Sequence, residues 1–162
     1  MTIDAINALD RNAFTERLGW IFEHSPWVAE RAWSRRPFQS IDELHRAMRD
    51  EVEATSPSEQ LALLRAHPDL GARAGMSPSS TAEQSGAGLD RLTASEFERL
   101  QSLNDAYQRK FGFPFLLAVK GSTKFDILDS LERRLPAAVD TEFAEALRQV
   151  YKIARFRLED LP

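Results

Sequence analysis

The chain has 162 residues, of which 43% are hydrophobic and 28% charged, and its formal net charge is −4. That length is enough for one ordinary domain with a real core, and the acidic balance leaves no footprint for a nucleic-acid partner. Cysteine is absent, which removes disulfides, thiolate metal ligands and thiol nucleophiles together and fits a reducing compartment.

No apolar run approaches the roughly 20 residues that span a bilayer. The opening MTIDAINALDRNAFTERL contains acidic residues and no apolar signal core. The closing LEDLP is not a Ser-Lys-Leu-type peroxisomal address. The expected setting is cytoplasmic, with no membrane partner.

The hydrophobic period is helical nearly everywhere. Phe14, Leu18, Ile21 and Phe22 predict one face of a first helix that stops near His24 and Ser25. Ser25 then reads as an N-cap, with Pro26 opening WVAERAW and Pro37 closing that element. Ser40-x-x-Glu43 starts the next helix, which carries Leu44, Met48 and Val52. Ser56-Pro57-x-Glu59 repeats the signal, and the helix that follows should end before His67, because a residue preceding proline avoids the α region. Ser80-x-x-Glu83 and Thr93-x-x-Glu96 read as two more capping boxes.

From about 94 to 111, Phe97, Leu100, Asn104, Tyr107 and Phe111 share a face, and Gly112 is a natural stop. FPFLLAV, residues 113–119, is apolar without helical spacing and reads as a buried extended segment. Helix returns from Ser122 to Leu135, with Phe125, Leu128, Leu131 and Leu135 inward, and again from about Thr141 to Leu158. No repeat, linker or period-2 pattern interrupts the chain. The expectation is one all-α domain over residues 1–162, with about seven or eight helices.

Chemistry could sit at a few places. His24 and His45 lie among polar neighbours and suit surface or capping roles. His67 stands at a helix-to-loop junction where Pro68 restricts its backbone. It is either a catalytic side chain projecting over a loop or a cap on the preceding carbonyls. Glu83 and Gln84 lie near a helix N-terminus, which favours an anionic ligand, although Glu83 as a capping-box residue could simply bond back to Ser80.

In the last helix, Leu147, Val150 and Ala154 fall within about 40° of Phe143 at 100° per residue, and Arg157 joins the same stripe. A cation there needs a buried partner, a ligand anion or an escape past the helix end. Asn104 reads as a core amide satisfying loop backbone, around 112–120. Three histidines without cysteine, and no His-Glu-x-x-His, argue against a transition-metal centre, and no dinucleotide, P-loop or nucleophile-elbow motif is present.

One ordered set of motifs goes further. FEHSPWVAERAW (22–33), RPF (36–38), HPDLG (67–71), S-x-x-EQ-x-x-AGL (80–89), LN-x-x-Y (103–107), KFGFPFLLAVKG (110–121) and V-x-KIA-x-x-RL-x-DL (150–161) together span nearly the whole chain. In order and spacing they resemble the OHCU decarboxylase family, which acts on 2-oxo-4-hydroxy-4-carboxy-5-ureidoimidazoline.

The resemblance implies an all-helical fold of its own type and a cofactor-free, metal-free decarboxylation to (S)-allantoin in urate breakdown. It places the catalytic histidine on His67, its acidic partner on Glu83 and the substrate-clamping arginine on Arg157. Ser80 and Gln84 become further ligands and Pro68 lines the site. The backbone of Phe115, Leu116, Leu117, Ala118 and Val119 hydrogen-bonds the ring and ureido groups. A homodimer is implied, and the loop from about 71 to 79 is expected to move when substrate binds. The competing readings are a non-catalytic helical module that binds a ureide or a protein, and a hydrolase of a related ureide.

Overall fold

A computed structural model describes residues 1–72 and 76–162. All regular structure among the described residues is helical, with nine α-helices and one 3-10 turn. The chain divides into two compact units, residues 1–66 with 150–162 and residues 67–149.

The first unit begins with a short helix, α1 (Ile3–Asn7), capped by the Thr2 hydroxyl. Only five residues long, it is too short for periodicity to reveal. Asp10 caps α2 (Arg11–Leu18), and the helix ends at Gly19. The expected run to His24 is therefore too long. Ile21 and Phe22 are buried, but they lie in a non-helical turn whose burial imitates the helical period. A Cβ on Gly19 would stand 2.5 Å from the Thr15 carbonyl oxygen and 3.1 Å from Pro26 Cβ, so the turn is closed around a missing side chain. His24 has φ of 47° and is exposed, while Glu23 and Ser25 on either side are buried.

Ser25 does not cap α3 (Trp27–Ala32), which has no side-chain cap. The Ser25 hydroxyl instead donates to the Glu23 carbonyl at 3.0 Å. A 3-10 turn, Trp33–Arg35, follows and ends before Pro37. Next come α4 (Ile41–Glu53) and α5 (Pro57–Arg65), with Ser40 and Ser56 capping as their sequences require. His45, half-buried on α4, holds the Tyr151 carbonyl through Nε2 at 2.7 Å. The carbonyl can only accept, so Nε2 carries the proton.

The second unit holds α6 (Pro78–Gly86), α7 (Ala94–Phe111), α8 (Lys124–Arg134) and the start of α9 (Val139–Glu159). Both halves of the capping box at Thr93 form, and Gly112 takes φ of 81° as the stop. α8 starts two residues later than expected, with Thr123 and Asp126 forming a second box. Its apolar face is Ile127, Leu128 and Leu131. Phe125 was expected inward but is 60% exposed, because it sits in the first turn, before the buried face begins. Between α7 and α8, residues 114–119 form neither helix nor strand, and Phe113 to Leu116 are buried.

Candidate active site

His67 follows Ala66, whose N–H closes the last turn of α5. The helix stops where the His67-Pro68 pair required. His67 is 7% exposed, so the junction turns its side chain inward rather than into water. The loop after it is tied down by amides from two helices. Gln84 accepts from the Gly71 N–H at 2.8 Å and donates to the Asp69 carbonyl at 3.4 Å. Asn104 of α7 donates to the Leu70 carbonyl at 3.0 Å. Gln108, one turn later, donates to the Asp69 carboxylate at 2.5 Å. Burial pushes the Asp69 carboxyl above its ordinary value; the Gln108 hydrogen bond opposes this, and the nearby Asp105 charge adds to the rise.

Gly71 has φ of 79°, and a Cβ there would come within 2.6 Å of Leu100 Cδ2. Only glycine satisfies both the left-handed backbone and the approach to α7. A cavity of about 120 Å³ opens between this loop and α7, bordered by Leu70, Gly71, Leu100 and Asn104. Asn104 was expected to serve the backbone around 112–120. It serves Leu70 instead, and its Oδ1 is buried without a hydrogen-bond partner among the described residues.

Ser80 is not the cap of α6. Ser77 is, accepting from the Ser80 N–H at 3.1 Å, with Pro78 at the first helical position. Two overlapping cap signals compete here, and proline decides between them: its fixed φ suits the first position and it has no N–H to satisfy. Ser80 therefore lies inside the helix. Glu83 is removed from the capping-box role, standing one turn after Ser80 with Gln84 beside it. Ser80 and Gln84, four residues apart, are both buried, and Glu83 is half-buried. The stretch from 71 to 79 is only partly loop, since Pro78 and Ser79 are helical, and residues 73–75 lie outside the described residues.

The 115–119 segment is held from α8 and α9. Arg134 donates through Nη1 to the Leu116 carbonyl at 2.7 Å, and its guanidinium lies 4.4 Å from the centre of the Phe115 ring. Glu142 receives Arg134 Nε and the Tyr107 hydroxyl, both at 2.6 Å. Gln149 accepts from the Ala118 N–H at 3.0 Å. Burial first, and then the Glu142 carboxylate, push the Tyr107 phenol far above its ordinary range.

In the first unit, Arg157 is 3% exposed and takes one of the options its stripe position left open. Its partner is Glu23, with Nη1 3.4 Å from Oε1, and the same nitrogen donates to the Trp20 carbonyl at 3.1 Å. Sequence reasoning missed Glu23, Arg134 and Gln149. Glu23 was visible only as part of FEHSP, and the other two left no local signal.

The fold and these contacts define an all-helical protein in which the loop after a buried histidine and an irregular backbone segment are each held by side chains from neighbouring helices. The chain belongs to the OHCU decarboxylase family, whose model matches residues 7–159. It is 49% identical over 160 residues to the 2-oxo-4-hydroxy-4-carboxy-5-ureidoimidazoline decarboxylase of Haloferax volcanii, covering 99% of this chain and 95% of that one. It is 48% identical to part of the uric acid degradation bifunctional protein of Bacillus subtilis, covering 99% of this chain and 32% of that one. A crystal structure of (S)-allantoin synthase superposes with a TM-score of 0.82 at 36% identity, covering 98% of this chain and 53% of that chain.

Proposed function

We propose that this protein decarboxylates 2-oxo-4-hydroxy-4-carboxy-5-ureidoimidazoline to (S)-allantoin in urate breakdown. The observation that carries this reading is the family match over residues 7–159, with relatives of that name aligned along the whole chain.

The chemistry needs no large catalytic apparatus. The bond from the ring carbon to the carboxylate breaks and CO2 leaves; the freed electron pair forms a C=C bond to the ureido-bearing carbon while the C=N pair moves to nitrogen, which takes up a proton, so the substrate is its own electron sink. The hydroxyl on the decarboxylated carbon then gives up its proton and becomes a carbonyl. A proton is added to the ring carbon that bears the ureido group. The protein must hold the ring, turn the carboxylate out of the conjugated plane and deliver that proton to one face.

His67 handles the proton, either taking it from the hydroxyl or adding it to carbon, and Glu83 orients the imidazole. Support comes from the Gln84 hydrogen bonds, which tie α6 to the loop that begins at His67. Ser80 and Gln84 contribute polar contacts and Pro68 lines the site. Arg157 pairs with an anionic or carbonyl oxygen of the substrate, its guanidinium oriented by Glu23. The backbone of Phe115 to Val119 reads the ring and ureido groups. We also propose a homodimer, as the family resemblance implies, and a cytoplasmic location, the setting expected from the sequence. Light scattering should return twice the 18.4 kDa chain mass.

Release of CO2 from freshly generated substrate tests the reaction class, since a ureide hydrolase or a binding module releases none. His67→Asn should lower kcat at least about a hundredfold, the scale of general acid–base catalysis. Full activity in that variant would remove His67 from the mechanism.

A further inference from the structure

Building on the decarboxylase reading above, we propose that Gln149 and Arg134 are positioning residues: they hold one edge of the 115–119 backbone so that the opposite edge, centred on Leu117, meets a cyclic ureide. Neither touches substrate in this assignment. They act through the main chain.

The pattern of bonds makes the case. Arg134 takes the carbonyl of Leu116 and Gln149 takes the N–H of Ala118. In an extended chain these two groups lie on one side, and both groups of the residue between them lie on the other. The Val119 carbonyl is also engaged, by the Ser122 N–H at 2.9 Å in a turn. No hydrogen bond among the described residues engages the Leu117 N–H or carbonyl. Leu117 and Ala118 are half-buried, whereas Phe115, Leu116 and Val119 are buried. A donor and an acceptor from one half-buried residue, neither engaged among the described residues, match the adjacent C=O and N–H of a lactam or cyclic ureide.

Both clamps are themselves fixed. Gln149 Nε2 donates to Glu145 at 2.9 Å, which settles the amide orientation and leaves Oε1 for Ala118. The Arg148 guanidinium, first, and Gln149 keep the Glu145 carboxyl below its ordinary value, so it remains an ionised acceptor. Arg134 is oriented by Glu142 and flattened against Phe115. Gln149 is 5% exposed. An amide buried on a long helix, with one end on that helix and the other on a distant loop, sets the position of the loop relative to the helix.

The test is Gln149→Met, which keeps length and helix propensity but removes the acceptor. KM should rise about tenfold, the scale of one buried N–H left unpaired. kcat should change by less than about threefold, and the enantiomeric excess of the allantoin should fall, because a tilted ring presents both faces to the proton. A purely structural role predicts a lower melting temperature with unchanged KM and enantiomeric excess, and that result overturns the proposal. Should Gln149→Met fail to fold, Arg134→Lys decides. It keeps a cation for Glu142 but loses the fork that reaches Leu116, and an unchanged KM there overturns the proposal equally. An inactive wild type overturns the decarboxylase reading and this assignment with it. An active wild type with unaffected variants overturns this assignment alone.

Discussion

Replacing Tyr107 by Phe removes one oxygen from a buried polar cluster of the second unit. The ring keeps its neighbours, Phe111 at 4.4 Å and Phe115 at 5.3 Å between centroids. What is lost is the 2.6 Å hydrogen bond to Glu142, a carboxylate only 2% exposed. Hydrogen bonds to charged groups contribute about 1.5–3 kcal/mol. Glu142 retains Arg134, so its charge is not left alone, and the cost should fall near the middle of that range, about 2 kcal/mol. For a chain of this size that corresponds to a fall in melting temperature of about 4–8 °C. Urea unfolding should show the midpoint moving with the slope unchanged. A double-mutant cycle with Glu142→Gln should give a coupling of about 1 kcal/mol or more. A loss below about 0.5 kcal/mol, with no coupling, would refute the claim that this pair holds the cluster together.

Two further outcomes follow from other parts of the structure. Ser77→Ala should destabilise by about 1 kcal/mol by uncapping α6, whereas Ser80→Ala should leave the cap intact and raise KM; melting curves and kinetics on both variants check the reversal. His45 is lowered from its ordinary value of 6.5, chiefly by burial, with the Tyr151 hydrogen bond opposing. The folded state then binds fewer protons than the unfolded state, so stability is full above pH about 6.5 and is lost as pH falls through the lowered folded value. His45→Gln should flatten the unfolding free energy measured across that window.

Much of the fold was legible because its signals are local. The helix Ala94–Phe111 was bounded by a Thr-x-x-Glu box at one end and a glycine at the other, both readable within a few residues, and both formed. Errors arose where local signals overlapped or where burial imitated a period. Ser77-Pro78 prevailed over Ser80-x-x-Glu83 because proline fits the first helical position at no hydrogen-bond cost. Ile21 and Phe22 extended the α2 pattern through a turn because a buried turn also carries apolar residues.

The site divides in the same way. His67 stood out through the proline beside it. Arg157 stood out as a cation on an apolar stripe, but its partner Glu23 lies 134 residues away in sequence and could not be named from the pattern. Arg134 and Gln149 were invisible for a related reason. Each serves backbone carbonyls or N–H groups, and these carry no residue signature.

The most direct test of the decarboxylase assignment is circular dichroism of the product. Purified protein is added to freshly generated substrate, and the optical signal is followed against a buffer control. The account predicts rapid growth of the (S)-allantoin signal, faster than the spontaneous decay that gives racemate. A product without optical activity, formed no faster than in buffer, would contradict it.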